Sequence, residues 1–342
     1  MSGSGTSLRA YVLTRIALAI PTVFILLTLV FFLMRVAPGD PITAALGARL
    51  PAKELEKRKE AAGYNKPIIQ QYGEYLGQVV TFDLGTSATD DRKVTSIIVE
   101  NGTATVELTT AAFFVTLVVG LTIGLLAGRF RDTPMDVGGR LFGIVIYAAP
   151  VFFLGFLAQL LFGSTLGWLP TSGRASPIVE FELNKITHFY LIDSLIQGDW
   201  YAFWDCLQHL ILPAVTLGLV ISGVLIRLVR VNLLQTMKGD YVEAARARGV
   251  NERRVVTHHA FRNAMVPVIT VAGLQFAILL GGAVLTEETF NWPGIGSELI
   301  RYLNNRDYIA VQGIITIFAI AVVIISVFID IVNAFVDPRV RY

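Results

Sequence analysis

Residues 239–267 read GDYVEAARARGVNERRVVTHHAFRNAMVP, a polar, basic island between two long uncharged runs. Asp240 with Glu243 three residues on has the spacing of a capping box, which opens a short helix. Tyr241, Ala244 and Ala245 share one face of that helix at i, i+3 and i+4. Two alanines there would let another protein's surface approach the backbone closely. Gly249 ends the helix and accepts a positive φ, and Asn251 can cap a second helix carrying Val255 and Val256. The spacing predicts a docking element; a solvated positive loop of a membrane protein is the plainer alternative.

The rest of the chain is far from a soluble composition, with 54% hydrophobic and 16% charged residues in 342. The 28 basic and 26 acidic residues nearly balance, which gives no argument for a nucleic-acid partner. Cys206 stands alone, excluding an internal disulfide, and four scattered histidines offer no metal-ligand spacing. Crossing about 30 Å of hydrocarbon takes roughly 20 residues. Six uncharged runs qualify: 16–34, 108–128, 141–163, 206–226, 264–286 and 309–329. The first is longer than the apolar core of a signal peptide and is expected to remain as a span. Lys and Arg gather beside alternate ends: Arg9 and Arg15, then Arg129, Arg131 and Arg140, then eight bases from Arg227 to Arg262, then Arg339 and Arg341. Residues 164–208 contain only Arg174 and Lys185. The expectation is an all-α polytopic membrane protein of six spans with both termini cytoplasmic, and 239–263 facing the cytoplasm.

Taken in order, 1–35 is a small polar tail and first span, 36–102 an extracytoplasmic region, 103–336 the main membrane domain, and 337–342 a cytoplasmic tail. Within the main domain the spans fall at about 104–128, 141–163, 206–229, 264–286 and 309–331. In the first outside region, 51–62 and 66–80 read as helices and Leu84-Gly85-Thr86-Ser87 as a turn. Ile68, Ile69, Tyr72, Leu76, Val79 and Val80 fall on one helical stripe, predicted to pack on the outer ends of the spans. Glu107 reads as an interfacial carboxylate in water, and Glu287 and Glu288 as solvated. Gly120-x-x-x-Gly124-x-x-x-Gly128 is a close-packing signal. Gln159 and Gln275 are polar groups within spans, read either as interhelical hydrogen bonders or as lining a pathway. Pro293 and two glycines break any helix at 292–296, placing Trp292 and Gly294 at an outer turn.

Glu243-Ala244-Ala245 followed by Gly249 resembles the coupling loop of permease subunits in ATP-binding-cassette (ABC) importers. Arg262 stands where that motif usually has proline. Further stretches are similar to the dipeptide/oligopeptide permease B subunit. They are Pro38-Gly39-Asp40-Pro41, Pro67 with Tyr72, Asp83-Leu84-Gly85 with Ser87, Leu166-Gly167-Trp168-Leu169-Pro170, HLILPAVTL at 209–217, Trp292-Pro293-Gly294-Ile295-Gly296, Arg306-Asp307-Tyr308 and Asp337-Pro338-Arg339. Asn65 replaces a frequent aspartate, and 174–205 is longer than the resemblance leads one to expect. The resemblance implies a type I ABC importer permease fold, with Asp240, Glu243, Ala244, Ala245 and Gly249 coupling to an ATPase. From their positions, Gln159, Gln275, Trp292 and Gly294 are read as candidates along a substrate pathway. The implied partners are a second homologous permease subunit, two ABC ATPase subunits, an extracytoplasmic substrate-binding protein and membrane lipid. ATP and magnesium would be bound by those ATPases, since this chain has no G-x-x-x-x-G-K-[ST] loop. No catalytic residue or metal site is expected here. A secondary transporter or channel acting without an ATPase is the alternative.

Overall fold

A computed structural model describes residues 8–36, 43, 51–61 and 65–336, and among them regular structure is helical apart from one isolated bridge between Thr86 and Lys93. The tail at 1–7, the motif at 38–41, Leu46, Leu50 and the ending 337–339 fall outside the described residues. Helix α1 is Leu8–Val36, α2 Ala52–Ala61 and α3 Ile68–Thr81. Next come α4, Val94–Arg129, α5, Pro134–Ala148, and α6, Val151–Ala158, which runs on as a π-helix over Gln159–Thr165. Two short helices, α7 (Pro177–Glu182) and α8 (Tyr190–Gln197), precede α9, Trp200–Thr236. Then α10 is Asp240–Ala247 and α11 Glu252–Arg254, joined through a π-helix at Val255–Ala260 to α12, Phe261–Gly282. The chain closes with α13 (Val284–Thr289), α14 (Ile295–Asn304) and α15 (Tyr308–Val336).

Among the described residues, five stretches are long and apolar enough to cross a membrane, lying in α1, α4, α9, α11 to α12, and α15. The predicted span at 141–163 is different: α5 and α6 meet at 103°, and only as a bent pair do they make a sixth. Ala149 is extended (φ −75°, ψ 135°) before Pro150, because a proline ring disfavours helical backbone at the preceding residue. Helix α4 has 36 residues, about 54 Å at 1.5 Å each, so it reaches well beyond a hydrocarbon layer of about 30 Å.

The centre of the bundle is the pair α4 and α9. Gly120, Gly124 and Gly128, at i, i+4 and i+8, face Leu225, Val229 and Leu233 at the same spacing on α9. A Cβ on Gly124 would stand 2.7 Å from the Cβ of Val229, and one on Gly120 would stand 2.6 Å from that of Leu225. Thr116 Oγ1 adds a 2.9 Å hydrogen bond to the Gly218 carbonyl across the same contact.

At the end of the bundle opposite α10, here the far end, α3 packs on α1 and α15. The predicted stripe is shifted: Tyr75 and Val79 are buried, Tyr72 and Leu76 half-buried, whereas Ile69 and Val80 are each 80% exposed. Hydrogen bonds decide the rotation, since Tyr72 reaches Thr28 (2.6 Å) and Tyr75 reaches Thr316 (2.7 Å). Packing on the chain's own helices is as expected. Beside it, Asp307 is fully buried and its Oδ2 accepts from Ser87 Oγ (2.7 Å) and from Thr89 N and Oγ1 (3.0 Å each). Two motifs 220 residues apart in sequence thus form one joint.

The neighbouring Asp90 accepts from the Tyr302 hydroxyl at 2.8 Å. Burial alone would raise its carboxyl, but hydrogen bonds from Ser87, Tyr302 and the Arg92 N–H, with the Arg301 charge, outweigh that and hold it below the usual range. A depressed folded pKa contributes stability above the unfolded value, lost as pH falls through the folded one. Asp90→Asn should therefore remove part of the acid destabilisation seen in a thermal-unfolding profile below about pH 4. A second expectation concerns the helix pair. Gly124→Val should lower stability by about 1–3 kcal/mol through overpacking, while Gly138→Ala, with nothing within 4 Å of the new Cβ, should be neutral or better in the same melts.

Candidate functional site

The 239–263 segment folds from local signals with one change. Gly239, not Asp240, is the N-cap of α10, so Asp240 sits in the first turn with Glu243 and neither side chain caps. Both carboxylates still lie where the helix dipole favours negative charge. Gly249 follows with φ +75° and open space around it, so its backbone geometry alone asks for glycine. Asn251 Oδ1 accepts from Arg253 N at 2.9 Å and caps α11, as predicted. Arg246 clamps the turn from both sides through Glu252 (3.1 and 2.8 Å).

The face differs from the sequence reading. Val242 and Ala245 are fully buried, while Tyr241, Glu243 and Ala244 are exposed. The hidden pair packs with Leu233 of α9 and with Val255, Val256, Ala260 and Ala264 leading into α12. One alanine therefore supports the helix and the other remains on its outer surface. A cleft of about 280 Å³ opens alongside, lined by Arg248, Val250, Arg254, His258 and His259. Arg248 and Arg254 give it positive charge, which suits an acidic surface.

At the far end, the 292–296 turn is a knot and not a loose loop. Trp292 is 1% exposed, and its Nε1 donates to the Ala104 carbonyl at 2.9 Å. Asn101 Nδ2 donates to Pro293 O (2.9 Å), and Ile295 N donates to Thr105 Oγ1 (2.9 Å). Under the turn lies Glu287, fully buried, accepting from Thr105 Oγ1 (2.6 Å) and Ser297 N (2.9 Å). A side chain at Gly294 would collide with that carboxylate, which is why the turn needs glycine there. Gln159 joins the same region, donating to Thr171 O (2.7 Å) and Thr289 O (2.9 Å). Gln159, Trp292 and Gly294 are thus gathered around one end of α4 and α13. Gln275 is buried separately on α12, next to Phe276, whose ring meets Phe113 at 5.1 Å.

Two acids read from the sequence as lying in water are buried. Glu287 is enclosed instead of solvated, and Glu107 is paired instead of wet. Arg174 donates to Glu107 Oε2 from Nε (2.8 Å) and from its terminal nitrogen (2.7 Å), while Leu191 N donates to Oε1 (3.1 Å). The guanidinium also lies 3.8 Å from the Tyr190 ring centroid and donates to His188 O at 2.8 Å. The available signal was scarcity, since Arg174 is one of two bases in 164–208 and Glu107 an acid beside a span. With side chains 3% and 7% exposed, this is a buried pair. Breaking it should cost about 3–5 kcal/mol. Arg174→Met should therefore lower the melting temperature sharply, and the double variant Arg174→Met/Glu107→Leu should recover most of the loss. A double variant as unstable as the single would show that the pair is not the unit.

Residues 120–342 match the family model of the binding-protein-dependent transport system inner membrane component, and residues 8–109 match that of its N-terminal region. A di/tripeptide transport system permease protein of Pseudomonas aeruginosa is 38% identical over 97% of this chain and 99% of that protein. Dipeptide transport system permease proteins of Escherichia coli K12 and Alkalihalophilus pseudofirmus are 36% and 33% identical, each over 97% of this chain and 98% and 99% of theirs. Among solved structures, a chain of the inward-facing MetNI methionine ABC transporter superposes with TM-score 0.54 at 16% identity. It covers 70% of this chain and 96% of that one, a likeness of fold. With most of its length under the family model and relatives aligned end to end, the chain belongs to the binding-protein-dependent transport system inner membrane components, the multi-pass permease subunits of ABC importers.

Proposed function

We propose that this permease forms half of the pathway of an ATP-driven importer of dipeptides and oligopeptides in a bacterial or archaeal cell membrane. Its termini and α10 face the cytoplasm, and α3, α8 and the 292–296 turn face outside. The observation that carries the reading is the construction of α10. Its hidden face is fused to α9 and α12, while its outer face is left bare beside a cleft that carries Arg248 and Arg254. The partners are one homologous permease subunit, two ATPase subunits holding ATP and magnesium, and a binding protein that delivers peptide. The names of the relatives support the peptide class.

The geometry supplies a route for the work. A pull on α10 moves Leu233 and Ala264 together, because both share its buried cluster. Helix α9 is interlocked with α4 along three glycines, so the two move as one body. The far part of α4 carries Asn101, Ala104 and Thr105, which hold the 292–296 turn. ATPase closure at one end would in this way displace the turn at the other. In this proposal Trp292, Gly294 and Gln159 shape the outer end of the pathway, and Gln275 stands along it.

Gly249→Val tests the coupling. A left-handed backbone costs a non-glycine residue roughly 1–2 kcal/mol, and β-branching adds to it. The variant should insert and pair with its partner permease at normal levels in membranes, yet lose peptide uptake while ATP hydrolysis continues uncoupled. Gly249→Asn, which tolerates positive φ, should restore most uptake. Normal ATP-driven uptake by Gly249→Val together with Glu243→Ala would overturn the coupling role. Uptake that persists in vesicles lacking any ATPase subunit would favour a secondary transporter.

A further inference from the structure

The segment from Arg174 to Asp205 takes no part in the route above, and its exposed surface is of an unusual kind. Helix α8 is inverted relative to a water-facing surface helix. Asp193 and Ser194 are fully buried, whereas Ile192, Leu195 and Ile196, at i, i+3 and i+4, are exposed. The inward polar groups hold the loop together: Asp193 Oδ1 accepts from Thr187 N (2.8 Å) and Thr187 Oγ1 (2.7 Å). After α8, Gly198 turns the chain with φ +68°, and Asp199 caps α9 through Ala202 N at 2.9 Å. The first turns of α9 then expose Trp200, Tyr201 and Trp204. Helix α7 adds Phe181, 91% exposed. Of four tryptophans in the chain, Trp168, Trp200 and Trp204 are exposed in this layer, and the buried Trp292 is the fourth.

The height of these residues decides what covers them. The uncharged run of α9 begins at Cys206. At 1.5 Å per residue, Trp204 stands about 3 Å and Trp200 about 9 Å beyond that point. The headgroup layer on each side of a bilayer is roughly 5–8 Å thick, and Trp and Tyr accumulate there because one end of each ring system is apolar and the other polar. Trp200 thus stands at the outer edge of that layer, whereas Leu191 N at the start of α8 donates to Glu107 (3.1 Å), one residue outside the uncharged run of α4 that opens at 108, which sets α8 near the hydrocarbon edge. The exposed face of α9 runs from Trp200 and Trp204 to Ile211, and beyond it the helix turns into the bundle, so the patch reaches just past the start of the uncharged run.

We propose that α7, α8 and the start of α9 form an interfacial platform seated in the headgroup and upper acyl region of the leaflet at the far end. Ile192, Leu195, Ile196 and Phe181 are its lipid-inserted side chains. Arg174, paired with Glu107 on α4, ties the platform to the bundle, and the ligand of the exposed face is phospholipid. The inference needs only the depth of α9 and is independent of the substrate.

Spin labels on single cysteines test it in the assembled transporter, reconstituted in nanodiscs of phosphatidylethanolamine and phosphatidylglycerol. Native Cys206 is 3% exposed and leaves an introduced thiol as the reactive one. Labels at Ile196→Cys and Leu195→Cys are compared with Leu18→Cys, on the exposed apolar face of α1, and with Arg253→Cys on the coupling turn. The expected result is an oxygen-to-nickel-chelate collision ratio above one at 195 and 196, as at 18, and below one at 253. It should not change when the binding protein is added. A ratio below one at 195 and 196 would place the face in water and overturn the proposal. Low collision with both reagents, before or after adding the binding protein, would make the cover a protein and overturn it equally.

Discussion

The structure depends on how closely α4 and α9 can approach. Between two helices in lipid there is little hydrophobic drive, since acyl chains are as apolar as leucine. Contact area and short interhelical bonds have to do the work instead. Three glycines one turn apart on α4 make room for Leu225, Val229 and Leu233, and Thr116 closes a hydrogen bond across the seam. Everything else is hung on this pair. Helix α5 lies over its α10 end, where Asp136 takes Arg230 of α9 in a bidentate grip (2.6 and 2.8 Å). Helix α10 rests on the last turns of α9, and the 292–296 turn rests on the first turns of α4.

Beyond the membrane-spanning part, polar groups and not apolar ones dictate the shape. The far-end layer holds only a small apolar cluster of Ala175, Val179, Leu183, Tyr190, Ala202 and Cys206, and buried carboxylates that collect donors organise the rest. Asp307 gathers the 87–89 strap, Glu287 gathers the 292–297 turn, and Glu107 gathers Arg174 and the start of α8. A buried carboxylate left short of donors is costly, whereas one fully supplied fixes a single arrangement of the backbone around it. Those three acids act as the nodes to which otherwise irregular chain is tied.

What could be read in advance follows the range of the forces involved. Gly249 and Asn251 act on their own neighbours, and both were legible. The glycine triplet was legible for the same reason, its spacing being local even though its partner is 100 residues away. Periodicity gives faces but not which face turns inward, so Val242 and Ala245 were buried where Tyr241 and Ala244 had been expected to share a side with Ala245. The same ambiguity moved the stripe of α3, which only Thr28 and Thr316 could orient. Glu107 and Glu287 were missed because their partners lie 67 and 182 residues away. The run at 141–163 passed as one span because hydropathy outweighed the proline in its middle.

That proline leaves the molecule with an unusual boundary. Pro150 has no N–H to return to the carbonyl of Ile146, and a bend of 103° splays the turn before it. Hydrocarbon offers no donor to an exposed carbonyl. A carbonyl freed at the elbow between α5 and α6 therefore needs a donor from water or protein wherever this break in the helix meets the membrane. A permease whose solvent-lined interior and lipid-lined exterior are built from the same few helices needs such a break, and in this chain its position is written by a single ring that cannot donate a hydrogen bond.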